Sequence, residues 1–402
     1  MKKKAIFVLF ALILYTSFLP LFPPVATAFS TEFEEEGQSS LTQVNADVSA
    51  KAAALLGPNG EVLFEKNGDV RLGIASTTKI MTAIIVLENC SLDEEVSTPS
   101  EAVGVEGSSL YLKKGEVLTV EELLYGVLLQ SGNDAATSLA IHCAGSVPAF
   151  VELMNEKAKS LGLSNTHFDN PHGLSSDEHY STATELGKIT AYALKNETFR
   201  KIASTYSHKI RYDGNEGGRL LVNHNKLLKI YEGAIGVKTG FTKSTGRTLV
   251  GAAERDSLTL ISVTLNAPDD WRDHKTLLDI GFSSYESFKT AEEKEFSFKI
   301  PVVNGEDENV IIENENSPSF IINKGAKIKT RFILPDSLPA PITEGTRFGE
   351  VEYYADGVLL GKIGLFASKN VDQKRLSFWE RLKNERNKNT EDDQRRGTML
   401  TP

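Results

Sequence analysis

The sequence lacks an excess of basic residues: 44 lysines and arginines stand against 54 aspartates and glutamates, so the net charge is −10. Nucleic-acid binding needs a basic surface that neutralises phosphates, and this balance therefore excludes nucleic acid as the main partner. An acidic body also has no general attraction to anionic lipid. Hydrophobic residues make up 40% and charged residues 24% of the 402 residues, an ordinary globular balance, and this length suffices for roughly two or three domains.

Three common functional motifs are also missing. The glycine-rich stretch from Gly104 to Ser109 contains neither G-x-G-x-x-G nor Gly-Lys-Ser/Thr, which argues against a nucleotide site. No Gly-x-Ser-x-Gly elbow occurs, so a Ser-His-Asp hydrolase is poorly supported. His167, His172 and His179 follow each other at steps of five and seven residues, which fit no common metal site, and we interpret them as surface histidines.

Cysteine is scarce, with Cys90 and Cys143 as the two examples in the chain. Cys90 is expected to close a helix that begins at Ser76, and Cys143 lies late in a helix that we place after Asp134. In an exported protein the two can form a disulfide, and the alternative is a pair of buried thiols. The sequence leaves both interpretations open.

The N-terminal segment has the pattern of an export signal. Lys2-Lys3-Lys4 precede an apolar run from Ala5 to about Phe22, and Ala26-Thr27-Ala28 provides the small residues that a signal peptidase requires. We therefore predict that residues 1–28 are a signal peptide rather than a membrane anchor, and that the mature protein is extracytoplasmic. Residues 29–45 are polar and acidic and predict a mobile lead-in.

The first candidate catalytic residues lie in the segment Ser76-Thr77-Thr78-Lys79. Residues Ile80 to Leu87 follow and would be apolar on nearly every face of a helix. This pattern predicts a buried helix that begins at Ser76, with Ser76 and Lys79 on one face of its first turn. A serine needs a base to become nucleophilic, and a lysine with a lowered pKa can be that base. Ser-x-x-Lys alone is weak, because about one match is expected by chance in a chain this long.

The order of predicted elements is strands, then helices, then strands again. Two strands flank the Asn59-Gly60 turn, a helical stretch occupies the middle third, and three further strands lie between Ala234 and Val263, before a helix from Asp270 to about Tyr285. This order predicts an α/β domain over residues 46–287, in which a mixed sheet carries an inserted helical lobe. Short alternating strands over residues 288–368 predict a small C-terminal all-β domain.

The last predicted segment is a charged tail over residues 369–402. Leu376, Phe378, Trp379 and Leu382 lie there among lysines and arginines. They predict a short interfacial helix in peripheral contact with a membrane, or a solvated tail, and the sequence does not separate the two.

Two further motifs join the first. Ser131-Gly132-Asn133 begins 55 residues after Ser76, and Lys238-Thr239-Gly240 begins 107 residues after Ser131. The set Ser-x-x-Lys, Ser-x-Asn and Lys-Thr-Gly in this order is typical of penicillin-binding proteins and class A β-lactamases. On these residues the chain resembles the low-molecular-mass penicillin-binding proteins, the serine D-alanyl-D-alanine carboxypeptidases. The resemblance implies a penicillin-recognition fold of the β-lactamase/transpeptidase type with an appended β-domain.

The resemblance also implies roles for individual residues. Ser76 would be the nucleophile, Lys79 its base and Ser131 the relay that protonates the leaving amine. The backbone N–H groups of Ser76 and Phe241 would form the oxyanion hole. Substrate binding would involve the remaining motif residues and the one after them, namely Asn133, Lys238, Thr239, Gly240 and Phe241. No metal or organic cofactor is implied.

The implied function is removal of the terminal D-alanine from peptidoglycan stem pentapeptides at the cell wall or the outer face of the cytoplasmic membrane, through an acyl-serine that β-lactams also form. A class A β-lactamase is the first alternative, but its deacylating glutamate is absent from residues 165–173, where Asp169 is a shorter substitute. A non-catalytic β-lactam or peptidoglycan sensor is the second alternative.

Phe241 stands where some relatives carry histidine. For Arg247 we favour a surface salt bridge over carboxylate binding.

Overall fold

The structure is a computed structural model that describes residues 41–212 and 217–375. The predicted signal peptide, residues 29–40 of the predicted lead-in and the tail from residue 376 onward lie outside these ranges. The strands are, in chain order, β1 Ala52–Leu56, β2 Val62–Lys66, β3 Glu95–Ser97, β4 Val117–Thr119, β5 Ser207–Ile210, β6 Arg219–Val222, β7 Ala234–Thr242, β8 Gly246–Arg255, β9 Leu258–Leu265, β10 Tyr285–Lys289, β11 Ser297–Val303, β12 Asn309–Asn314, β13 Ser319–Asn323, β14 Ile328–Ile333, β15 Leu338–Pro339, β16 Arg347–Ala355 and β17 Val358–Ala367. The helices are α1 Lys79–Asn89, α2 Val120–Leu129, α3 Asn133–Ala144, α4 Val147–Ser160, α5 Ala183–Leu194, α6 Glu197–Ser204, α7 Leu227–Ile230 and α8 Asp270–Ser284.

The larger sheet has five strands in the order β2-β1-β9-β8-β7. Every pairing in it is antiparallel, so the sheet that the sequence predicts to be mixed has one pairing type only. The reason lies in the connections, because short turns join β1 to β2, β7 to β8 and β8 to β9, and the helical lobe is inserted between β2 and β7. Strand β7 is left at an edge of the sheet, with β8 as its neighbour.

Strand β1 shows why this sheet is apolar on both faces. All five of its residues are buried, and they alternate between two cores. Ala52, Ala54 and Leu56 pack with the helical lobe, whereas Ala53 and Leu55 pack with the core that contains α8. A strand covered on both faces is hydrophobic at successive positions rather than at every second one.

The helix behind Ser76 is enclosed as predicted, but it begins later. Residues Ala75–Thr78 form a 3₁₀ turn, and α1 begins at Lys79. The hydroxyls of Thr77 and Thr78 donate to the carbonyls of Ile74 and Ala75 at 2.6 and 2.7 Å. Such local side-chain bonds compete with regular helical bonds, which explains the tighter turn at this point.

The two cysteines are bridged in the structure. Cys90 and Cys143 form a disulfide with a Cα–Cα distance of 6.3 Å. Cys90 directly follows α1, and Cys143 lies in the last turn of α3. The bond therefore joins the C-terminal ends of two neighbouring helices of the lobe.

Two predicted end segments are more ordered than expected. Residues 41–45 of the predicted mobile lead-in pack on the protein, because Leu41 and Val44 contact the core around α8 and Val44 N–H donates to the Leu63 carbonyl. Residues 369–375 of the predicted tail also pack, since Val371 is buried and bonds reciprocally with Ile342. Apolar side chains in both segments account for the difference.

The C-terminal part is built on a six-stranded sheet in the order β14-β16-β17-β12-β11-β15, with its own hydrophobic core. Strands β10 and β13 form a separate antiparallel pair. The predicted boundary between residues 287 and 288 falls within β10, and the exact division into domains stays a prediction. In the described ranges no single helix is long and apolar enough for a membrane span, although α3 and α4 meet that criterion when taken together across an 85° bend.

Candidate active site

Ser76 and Lys79 meet at the junction of the 3₁₀ turn and α1. Lys79 Nζ lies 3.2 Å from Ser76 Oγ, 2.6 Å from Asn133 Oδ1 and 2.6 Å from the carbonyl oxygen of His172. The lysine is fully buried, whereas Ser76 is half-buried. The three oxygen atoms hold the amine in a fixed position against the serine hydroxyl.

The environment of Lys79 favours its neutral form. Burial lowers its pKa well below the ordinary value of 10.5, and the nearby charge of Lys238 acts in the same direction. The carboxylate of Asp134 opposes them. A buried amine with a lowered pKa has the property that a general base requires near neutral pH.

Ser131 and Asn133 lie between the end of α2 and the start of α3. Ser131 has a φ of 62°, which is uncommon for a residue with a side chain, and its Oγ is buried without a hydrogen-bond partner in the described part of the chain. Asn133 uses its amide twice, because Oδ1 accepts from Lys79 and Nδ2 donates to the Glu106 carbonyl. A second N–H of that Nδ2 is left for a ligand.

Asp134 also belongs to the site, although the three sequence motifs do not indicate it. Its buried carboxylate accepts from Ser109 Oγ at 2.6 Å and from the N–H groups of Leu110 and Leu112 at 3.0 Å each. The glycine-rich loop is thereby fixed over the start of α3. A Cβ on Gly107 of that loop would lie 2.7 Å from Asn133 Nδ2, so glycine allows the loop to approach.

The Lys-Thr-Gly segment lies on the edge strand β7. Lys238 is buried, its Nζ donates to the Thr239 carbonyl at 2.8 Å, and burial lowers its pKa to about 7. A Cβ on Gly240 would stand 3.1 Å from Ser76 N, which brings the strand against the nucleophile's backbone. Phe241 follows with 64% of its side chain exposed.

The segment around the three histidines forms the wall opposite β7. Gly173 has a φ of 90°, and a Cβ there would stand 1.9 Å from the Ala75 carbonyl oxygen. His179 is buried and not on the surface, which corrects the prediction for this residue. Its Nδ1 accepts from Asp169 N–H at 3.0 Å, and its Nε2 lies 2.6 Å from Thr78 Oγ1, so the ring braces the turn beside Ser76.

The predicted residues come together to different degrees. Ser76, Lys79 and Asn133 are connected directly, Gly240 contacts the turn, and Lys238 influences Lys79 through its charge. Arg247 forms a salt bridge of 2.8 Å with Asp270, as the favoured interpretation predicts. Within the described ranges no three histidine, cysteine, aspartate or glutamate side chains are grouped as a metal site would require.

The chain matches known protein families over most of its length. The family described as D-alanyl-D-alanine carboxypeptidase matches residues 38–269, and the family described as penicillin-binding protein 5, C-terminal domain, matches residues 285–373. The D-alanyl-D-alanine carboxypeptidase DacF of Bacillus subtilis is 34% identical over 346 residues, which cover 83% of this chain and 88% of the relative. DacC of Escherichia coli is 32% identical and covers 89% of this chain and 90% of the relative.

Solved structures extend the likeness to three dimensions. Penicillin-binding protein 5 from Haemophilus influenzae is 30% identical and superposes with a TM-score of 0.70, covering 83% of this chain and 100% of that chain. A mutant of the Streptomyces K15 DD-transpeptidase is 36% identical with a TM-score of 0.56, covering 59% of this chain and 99% of its own. The chain therefore belongs to the low-molecular-mass penicillin-binding proteins, in the D-alanyl-D-alanine carboxypeptidase family.

Proposed function

We propose that the protein is a serine-type carboxypeptidase that removes the terminal D-alanine from peptidoglycan stem pentapeptides and that penicillins acylate the same serine. The observation that carries this proposal is the contact between Lys79 Nζ and Ser76 Oγ, 3.2 Å apart, in surroundings that lower the pKa of the amine. A serine with a neutral amine at this distance is prepared for nucleophilic attack.

The first half of the reaction is acyl transfer to the serine. Neutral Lys79 takes the proton from Ser76 Oγ, which bonds to the carbonyl carbon between the two D-alanines. The oxyanion is stabilised by the backbone N–H groups of Ser76 and Phe241, and removal of one such donor typically costs about 3 kcal/mol. The C–N bond then breaks, and the proton held by Lys79 passes through the Ser131 hydroxyl to the departing amine, which leaves both Lys79 and Ser131 in their starting states. The buried Ser131 hydroxyl, which has no partner in the described residues, supports this relay role.

The second half is hydrolysis of the acyl-serine. Water adds its oxygen to the acyl carbon, the bond to Ser76 Oγ breaks, and a proton returns to that oxygen. Residues 165–173 contain no glutamate that would hold a deacylating water against a penicilloyl group. We therefore expect peptide acyl groups to turn over and the penicilloyl adduct to persist.

Lys238 and Thr239 provide the proposed site for the terminal carboxylate. A buried ammonium gains strongly from a carboxylate partner because little water competes with it. Edge strand β7 has a free row of backbone groups on the side away from β8, which suits pairing with an extended peptide. Asn133 contributes the remaining N–H of its amide to the peptide backbone.

The test combines two assays on the mature protein and its Ser76→Ala variant. Incubation with excess benzylpenicillin, followed by intact mass and peptide mapping, should show a lasting adduct on Ser76, and a stem pentapeptide should release D-alanine. The Ser76→Ala protein should do neither, while Ser204→Ala, which changes a half-buried serine at the end of α6, should behave as the parent. Hydrolysed drug without an adduct would instead identify a β-lactamase, and an adduct without D-alanine release would identify a sensor.

We also propose that the protein is exported and that its tail contacts a membrane peripherally. The Cys90–Cys143 disulfide supports export, because such bonds persist in oxidising compartments. The tail proposal rests on Leu376, Phe378 and Trp379 beside basic residues. Anionic vesicles should carry the chain from Phe29 to Pro402 into the pellet on sedimentation, and a version from Phe29 to Arg375 should stay in the supernatant; equal pelleting of both would contradict the tail's role.

A further inference from the structure

A second feature of the site is a polar cleft of about 590 Å³ next to the nucleophile. One wall is the segment from Arg71 to Ala75, which leads directly into Ser76. The facing walls are residues 175–177 and the Ser244-Thr245 turn that follows β7. The cleft is thus continuous with the turn that carries Ser76 and with the end of the edge strand.

The proposed orientation of the substrate leads into this cleft. If the terminal carboxylate lies at Lys238 and the reacting carbonyl at Phe241, a peptide extended along β7 continues towards Thr242 and the turn after it. The residues upstream of the scissile bond then reach the Ser244-Thr245 wall. This step rests on the function proposed above.

The cleft has two cations that are not paired with acids. Neither Arg71 nor Lys51 lies within ion-pair distance of a carboxylate in residues 41–212 and 217–375, although Asp177 lines the same cleft. Most other described arginines pair with acids: Arg200, Arg211, Arg219, Arg247, Arg272, Arg331 and Arg347.

The guanidinium of Arg71 is held in place without being neutralised. Its Nε donates to Asn165 Oδ1 at 3.0 Å, and its Cζ lies 4.9 Å from the centre of the Tyr180 ring. Neutral partners and an aromatic face fix the planar fork while its charge stays available. Its Nη1 and Nη2 each donate once, to the Tyr180 hydroxyl and the Ser164 carbonyl, both at 3.4 Å, so one N–H on each nitrogen is left for a carboxylate.

We propose that this cleft binds the stem peptide upstream of the scissile bond and that Arg71 and Lys51 recognise a carboxylate there. Two parts of a stem peptide can supply that group: the γ-linked D-glutamyl residue, and the free end of diaminopimelate where that is the third residue. Both present the same chemistry to the two cations. The enzyme is therefore expected to prefer stem peptides over short D-Ala-D-Ala compounds that lack an upstream carboxylate.

The experiment compares four substrates: a pentapeptide with both carboxylates, one with the D-glutamyl carboxylate amidated, one with lysine in place of diaminopimelate, and diacetyl-lysyl-D-Ala-D-Ala. In the parent protein, kcat/KM should fall about tenfold when the recognised carboxylate is removed, the effect of one charge-assisted contact. The modified pentapeptide whose kcat/KM falls identifies which of the two carboxylates the cleft recognises. Equal rates on all four would overturn the proposal, whereas no cleavage of any would overturn the proposed function instead.

Variants separate recognition from structure. Arg71→Gln and Lys51→Gln should lose about tenfold on the carboxylate-bearing peptides and less than twofold on the short compound and on benzylpenicillin acylation. Lys275→Gln, an exposed lysine on α8, serves as the matched control, and Arg71→Lys should retain part of the preference. A uniform loss on every substrate in both Gln variants would assign the two cations a structural role and refute the proposal.

Discussion

Lys79 Nζ and Asn133 Oδ1 are joined by a hydrogen bond of 2.6 Å, and each residue is the first of its helix. Helices α1 and α3 therefore meet at the ends that carry functional groups. The Cys90–Cys143 bond joins the same helices at their other ends. The amine is thus positioned by two helices connected at both ends, and the predictions below change individual parts of this arrangement.

The pH dependence should differ between substrates with and without a terminal carboxylate. Lys79 must lose its proton to act as a base, so activity rises as the pH rises through its lowered pKa. Lys238, whose pKa burial lowers to about 7, loses its charge as the pH rises through that value. For a carboxylate-ended peptide kcat/KM should decline above about pH 7, and for the amide-ended analogue this decline should be missing. Matched declines for both would remove Lys238 from carboxylate binding.

Replacement of Asp134 by asparagine should affect both the glycine-rich loop and Lys79. The carboxylate now accepts hydrogen bonds from one O–H and several N–H groups, and the NH₂ of the new amide would face some of these donors without being able to accept from them. We expect this to cost about 2–3 kcal/mol in unfolding free energy. Loss of the negative charge also removes the influence that raises the pKa of Lys79, so the rising limb of the pH–rate profile should move to lower pH. Denaturant unfolding and acylation kinetics measure the two effects, with exposed Asp93→Asn as the control. A destabilised protein with an unmoved profile would leave Asp134 a purely structural role.

Removal of the disulfide should reduce stability more than activity. The two cysteines are 53 residues apart, and loop-closure entropy for a loop of this length corresponds to about 4 kcal/mol. The Cys90→Ala, Cys143→Ala double variant should lose about that much in urea unfolding, and the reduced parent protein should lose the same amount. Acylation by benzylpenicillin should continue at a similar rate, because the Lys79–Asn133 contact lies at the opposite ends of α1 and α3. Identical unfolding curves for parent and variant would contradict the expectation.

Acid should destabilise the protein through buried histidines. Burial lowers the pKa of His274 to about 3. The two nitrogens of its ring lie 2.7 Å from Ser262 Oγ and 3.0 Å from Thr264 Oγ1. The unfolded chain binds a proton below about pH 6.5 that the folded chain does not, so stability is lost as the pH falls from 6.5 towards 3, by about 1.4 kcal/mol per pH unit for this residue. His179, whose pKa burial lowers to about 4, adds to the slope.

The matching variant is His274→Gln, which retains one hydrogen bond to the strand hydroxyls and has no titrating ring. Between pH 6.5 and 4, the slope of its unfolding free energy against pH should be smaller than that of the parent by about 1.4 kcal/mol per pH unit, which corresponds to one proton. This holds whatever the stability of the variant at pH 7. Chemical denaturation at several pH values provides the slopes. Parallel slopes for parent and variant would show that His274 does not contribute to acid sensitivity.

Much of this arrangement was predictable from local sequence patterns. The Asn59-Gly60 hairpin and the apolar run of α1 each specify structure within a few residues, and the structure confirms both. The motif spacing likewise predicts that three distant segments meet. Local patterns suffice here because turns, caps and helix faces depend on neighbouring residues.

The remaining features depend on contacts between distant segments. The burial of His179 arises because the turn before α1 lies over it, and no pattern around residue 179 indicates that contact. The anchoring by Asp134 requires knowledge that residues 108–112 return to the start of α3. The disulfide required two helix ends to be adjacent, which the sequence left open. Arg71 gave no signal either, because its neighbours belong to residues 164–180.

The open edge of β7 also has a consequence for solubility. A nine-residue strand with one open edge, which includes the exposed Phe241, is the kind of surface on which copies of a protein pair edge to edge. Covering it would stop association but would also remove the row of backbone groups that a substrate needs. The net charge of −10 provides a means that leaves the edge uncovered, because like-charged copies repel one another before their edges meet. We therefore expect the acidity of the chain to limit self-association while its binding edge stays open.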